Sequence, residues 1–197
     1  MSARATRWRT SAPSSSPSLE LIIHGRLQLV FTVHATNKLL VRVKAIIEPV
    51  PPDATTALGN WYAALLAWRP HVALFVNEAT LLPVLVPLAP SKSLLVRLPE
   101  AVEAVLNRLG VDPRFVAAER DAMQQGVYAK TRDRSLIGML NEFSFLAGVH
   151  RDHDGQADLT GMALRLATTP CGPLHKRQIT PECELLALVT TTMEHPG

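Results

Sequence analysis

The chain has 197 residues, 47% apolar and 19% charged, with a formal net charge of +3. That length suits one ordinary domain with its own core, and two cysteines, Cys171 and Cys183, are too few for a disulfide framework or a structural zinc site. The charge excess lies in Arg4, Arg7 and Arg9, ahead of the first acid at Glu20, so the remainder is neutral and lacks the uniformly basic face of a backbone-tracking nucleic-acid binder.

Residues 1–18 are rich in Ser, Pro and Arg. They are expected to be a disordered tail, with too little apolar surface to offset ordering entropy, although the composition also fits an organellar transit peptide. Residues 19–197 are expected to form a single domain. The most apolar stretches, 19–33 and 72–88, are interrupted by charges, polar residues and prolines. Neither reaches the ~20 apolar residues of a spanning helix, so no membrane association is expected. Reduced cysteines and the lack of a clean signal sequence point to the cytosol.

The ordered part begins as a strand, in which Leu27, Leu29, Phe31 and Val33 alternate with other residues. Thr36 or Asn37 can cap a short helix through Leu39, Leu40, Val43 and Ile47, ended by the loop at Pro49, Pro51, Pro52 and Asp53. Leu58, Trp61, Tyr62, Leu65 and Leu66 recur at helical spacing, which predicts a second helix stopped by Arg69-Pro70. Residues 72–76 and 81–86 read as a hairpin around Asn77-Glu78-Ala79-Thr80, with Pro83 placing the second strand at an edge or bulge.

A helical region starts at Ser91, buries Val102, Val105, Leu106 and Leu109, and closes at Gly110. Asp112-Pro113 caps a helix to about Gln125, with Phe115, Val116 and Met123 inward. A strand over 127–131 leads to a helix capped by Asp133 or Ser135 and carrying Leu136, Met139, Leu140, Phe143 and Ala147. Gly138 in that helix reads as a site of close packing. Residues 150–160 read as a polar loop, Met162, Leu164 and Leu166 as a short strand, and Thr180-Pro181 as the start of a last helix. The sum is an α+β fold, with a mixed or antiparallel sheet that includes a hairpin and is flanked by helices.

Polar groups break apolar sequence at three places where a rigid frame could gather them. Glu78, at the hairpin tip, is the one candidate for a catalytic base, with turn formation by Asn77 and Thr80 as the plainer reading. Lys130, Arg134, Ser135 and Asn141 are candidate anion-binding residues, with Arg132 in the same basic run. A helix start offers free amides and a favourable dipole, unless Asp133 or Ser135 merely caps it. The stretch is no Walker loop, having neither its glycines nor its Gly-Lys-Ser/Thr ending. His150, His153, Asp154 and Asp158 lie too close together on a supposed loop for a rigid metal site, so no metal and no cofactor is expected. His34 and His71 fall at a strand end and start, and Trp61 and Tyr62 read as core.

At Trp61-Tyr62-Ala-Ala-Leu-Leu66, Leu74-Phe-Val-Asn-Glu-Ala-Thr-Leu-Leu-Pro-Val84 and Ala129-Lys-Thr-Arg-Asp-Arg-Ser-Leu-Ile-Gly-Met-Leu-Asn-Glu-Phe143, the chain resembles a bacterial family known as a domain of unknown function. Its members carry a Trp-Tyr-x-x-Leu helix, a Phe-Val-Asn-Glu-x-Thr-Leu hairpin and a Lys-Thr-x-x-Arg-Ser segment leading to a Gly-x-x-Asn helix. The resemblance covers about residues 29–149 and implies a bacterial cytosolic domain, with no activity or catalytic residue to transfer. The absence of a paired acid-base or nucleophile arrangement favours a non-enzymatic binding or regulatory module, with a protein or nucleic acid as possible partner. The alternative is an enzyme on a phosphate-bearing or nucleic-acid substrate, Glu78 activating while Lys130 and Arg134 hold the anion.

Overall fold

Five strands, β1 (Val30–Ala35), β2 (Trp61–Leu66), β3 (Val72–Asn77), β4 (Pro83–Pro87) and β5 (Gln125–Lys130), form one open sheet in the order β4-β3-β2-β1-β5. This is a computed structural model that describes residues 29–154, 158–170 and 179–194, with backbone alone for 152–154. The tail 1–18, Leu27 of the first strand and Cys171 lie outside those residues, and the supposed 150–160 loop lies partly outside them. β1 runs parallel to both β2 and β5, while β2–β3 and β3–β4 are antiparallel, so the sheet is mixed. Among the described residues six helices flank it: α1 (Asn37–Val43), α2 (Leu94–Arg108), α3 (Pro113–Ala122), α4 (Arg134–Asp154), α5 (Leu159–Ala167) and α6 (Pro181–Glu194). The class is α+β, and β4, which holds Pro83, lies at an edge as its missing amide requires.

Three elements differ from the sequence reading. Residues 61–66 are strand β2, not a helix. A strand between two partners is buried on both faces and shows apolar residues at every position, so helical spacing is satisfied by accident. Residues 159–167 are helix α5, not a strand: Asp158 accepts from the Thr160 and Gly161 amides, and Met162, Ala163, Leu166 and Ala167 are buried at helical spacing. Counting Met162, Leu164 and Leu166 alone passes over the buried alanines. The supposed polar loop from 150 is the end of α4, which continues to Asp154. There the Arg151 guanidinium lies 5.1 Å over the Trp68 ring.

Two smaller departures bear on the site. Helix α1 stops at Val43, where Lys44 takes a left-handed φ of 54° as its cap. Ile47 is freed from the helix and makes a parallel bridge to Tyr128, on the outer edge of β5. Gly138 is exposed, with open space where a side chain would go, so it is not a packing glycine.

The core is continuous from sheet to helices, with Phe31, Trp61, Tyr62, Phe75 and Phe143 among its largest fully buried side chains. One contact is unforgiving. A Cβ on Gly126 would lie 2.7 Å from Phe31 Cζ and 3.1 Å from Leu95 Cβ. Phe31 is fully buried and has nowhere to retreat. Gly126→Ala is therefore expected to destabilise the fold by about 1–3 kcal/mol, as overpacking does. Chemical denaturation would check it; an unchanged midpoint would show that β5 can move away from α2.

Candidate functional site

The chain leaves the carboxyl end of β1 through α1 towards β2, while β5 arrives on the other side of β1. Connections that diverge at parallel strand ends leave a crevice, the usual ligand position in such sheets. Here the crevice is an open cavity of about 570 Å³, lined by His34, residues 47–49 and 51, and residues 129–132. The 44–51 segment forms its outer wall because Ile47 and Glu48 are tied to β5, with the Glu48 amide donating to Tyr128 O at 2.7 Å.

His34 is the group that this arrangement makes unusual. It is 1% exposed, yet it lines the cavity. Its Nδ1 lies 3.0 Å from Lys130 O. A carbonyl can only accept, so Nδ1 carries the proton, and in the neutral ring Nε2 is a bare lone pair. Among the described residues Nε2 has no hydrogen-bond partner. Buried polar atoms are normally satisfied, and one left open beside a cavity marks a place where a ligand can satisfy it.

Tyr62 sits opposite His34 in the parallel register, so both point to one face, with ring centroids 4.9 Å apart at 32°. The phenol is fully buried, and its Oη also lacks a well-formed hydrogen bond. Burial raises the Tyr62 pKa above its ordinary value, and the charges of Glu78 and Asp133 raise it further, while Arg132 lowers it as a hydrogen-bonding and cationic neighbour. The hairpin tip and the turn before α4 therefore act on one phenol.

The residues expected from sequence divide accordingly. Lys130 lines the cavity through an exposed side chain, and Arg132 lines it beside Lys130. Glu78 is half-buried and outside the lining, with its amide donating to Asn60 O at 3.0 Å. Arg134 and Ser135 are exposed in the first turn of α4, Asn141 is exposed further along it, and none of the three lines the cavity. The amides of Ser135 and Leu136 already donate to the Asp133 carboxylate, at 2.7 and 3.2 Å. A carboxylate belonging to the chain thus occupies that helix start.

Asn77 is wholly structural in its bonding. Its amide group holds the turn and the 58–60 segment together through five hydrogen bonds. His71 bonds Trp68 O through Nδ1, at 2.5 Å. Among the described residues no group of three or more His, Cys, Asp or Glu side chains could hold a metal ion. His153 and Asp154 lie outside the described side chains.

Among the polar lining residues, the sequence reading passes over Glu48 and takes His34 only as the end of a strand. A signal was present for one of them. Thr32 and His34 place polar groups at alternate positions of an otherwise apolar strand, which is unusual for a strand buried on both faces. Glu48 reaches the site only because α1 ends early, and that depends on Lys44 adopting a left-handed conformation.

Residues 32–184 match a family described as a domain of unknown function, DUF6933. No curated protein and no solved structure matches the chain.

Proposed function

We propose that this chain, which belongs to the DUF6933 family of domains of unknown function, is a non-enzymatic binding module that holds a small anion at the carboxyl ends of β1 and β5. The observation that carries the reading is His34 Nε2, buried and unpartnered at a cavity whose wall also holds Lys130 and Arg132. A cavity of about 570 Å³ is within the range of small-molecule sites. Two cations on one wall supply the attraction for a phosphate or carboxylate. The enzymatic alternative, with Glu78 as base, is disfavoured because Glu78 stands outside the cavity lining. Retention of the ligand, rather than its conversion, suits a regulatory or carrier role. The cysteine usage supports a cytoplasmic setting, in a bacterium as the resemblance implies; among the described residues no helix is long and apolar enough to cross a membrane.

Titration with inorganic phosphate and with acetate, followed by backbone amide NMR, tests the reading. Shifts are expected to concentrate at residues 34 and 129–132. Replacing both Lys130 and Arg132 by Ala should weaken binding at least tenfold, on the order of 1.4 kcal/mol or more. Thermal stability should stay close to wild type because both side chains are exposed. Shifts that cluster elsewhere, or binding that survives the double substitution, would remove the site.

A further inference from the structure

We infer that the ligand of this cavity is an organic anion that also presents a hydrogen-bond donor, a hydroxyl or an ammonium group, to His34 Nε2 and Glu48. This rests on the anion-binding reading and narrows it to a class. A fully deprotonated anion such as acetate would satisfy Lys130 and Arg132 but would bring only further lone pairs to His34. With Nδ1 committed to Lys130 O, a neutral imidazole has nothing at Nε2 but an acceptor. A ligand that left this buried atom unsatisfied would forgo the energy of filling it.

Glu48 points the same way independently. It lines the cavity and is exposed. The salt bridges among the described residues, Arg108–Asp158, Arg114–Asp112 and Arg120–Glu103, do not include it. A cavity meant for a plain anion gains nothing from a carboxylate in its wall, which repels that anion. The cavity therefore offers two cationic donors, Lys130 and Arg132, and two acceptors, His34 Nε2 and Glu48. The matching ligand pairs a carboxylate or phosphate with a neighbouring hydroxyl or amine, as hydroxy acids, amino acids and polyol phosphates do.

The test uses sets matched in carbon count: lactate, equal in charge, and zwitterionic alanine against propionate, and glycerol 3-phosphate against propyl phosphate. Affinities come from amide shifts of the full chain. The nitrogen shifts of ¹⁵N-labelled His34 report its tautomer and hydrogen bonding without any substitution. Lactate or alanine should bind about tenfold more tightly than propionate, or glycerol 3-phosphate than propyl phosphate, the worth of one well-placed hydrogen bond to a buried acceptor. The preferred set tells carboxylate from phosphate. His34 should show a protonated Nδ1 throughout, and Nε2 should move on binding the donor-bearing probe alone. Glu48→Gln should reduce the preference for alanine over propionate severalfold.

Equal binding within both sets, or an Nε2 that already carries the proton, would overturn the donor requirement while leaving the anion site standing. Failure of every probe to shift residues 129–132 would instead remove the anion site, and this inference with it.

Discussion

Asn77→Ala is expected to lower the unfolding free energy by about 3–5 kcal/mol, the range for breaking a buried hydrogen-bond network. Asn77 is fully buried. Its Nδ2 donates to Leu58 O at 2.8 Å and Asn60 O at 3.2 Å. Its Oδ1 accepts from the Ala79 amide at 3.1 Å, the Thr80 amide at 2.9 Å and Thr80 Oγ1 at 3.0 Å. One side chain thus closes the β3–β4 turn and fastens the approach to β2. Removing it leaves donors and acceptors on both sides without water to replace it. In thermal unfolding the midpoint should fall by on the order of 10 °C for a domain of this size. Asn77→Asp separates the two halves of the role: it keeps the acceptor but cannot donate to Leu58 and Asn60, and it buries a charge. A variant that melted with wild type would show that the turn does not depend on this network.

Glu119→Ala should cost about 2–4 kcal/mol, because two amides lose a charged acceptor in a site closed to solvent. The carboxylate is 2% exposed and accepts from the Ala57 amide at 2.8 Å and the Leu58 amide at 3.2 Å. It holds from α3 the same loop that Asn77 holds from β3, so their effects should not be additive.

The same residue gives the fold a pH dependence. Burial raises the Glu119 pKa above the ordinary carboxylate value, against the lowering by the Leu58 and Ala57 amides and the Thr56 hydroxyl. The folded state therefore holds this proton more tightly than the unfolded chain. The stability that it contributes is whole below the ordinary carboxylate range and is lost as pH rises through the raised value. Urea unfolding from acid to neutral pH should show that decline in wild type. Glu119→Gln, which does not titrate, should lack it. Parallel profiles would mean that folding leaves the carboxyl's affinity for its proton unchanged.

Most of the architecture was legible because its signals are local. The Asp112-Pro113 start of α3 lies in two adjacent residues, and the Asp112 side chain does accept from the Arg114 amide. The hairpin at 72–87 follows from a short polar turn between apolar runs, and Pro83 marks an edge because a proline has no amide to give. Asp133 caps α4, one of the two capping alternatives read from the chain.

β2 was not legible, for a physical reason. Whether Trp61-Tyr62-Ala-Ala-Leu-Leu is helix or strand depends on β1 and β3 being there to pair with it, and those partners are not in the segment itself. The cavity was hidden more deeply. Lys130 was in view beside a strand end, but the choice between Arg132 and Arg134 turns on where α4 begins and on where the strand directs its last residues. His34 is an ordinary residue until the carbonyl of Lys130, 96 positions away, takes its Nδ1 and leaves Nε2 open.

Short-range chemistry along the chain, in caps, turns and apolar runs, was thus enough to specify an α+β domain and its hairpin. The meeting of His34, Glu48, Lys130 and Arg132 came from the pairing of β1 with β5 and from the early end of α1. No window of sequence contains those long-range contacts, because sheet packing joins segments that the chain keeps apart.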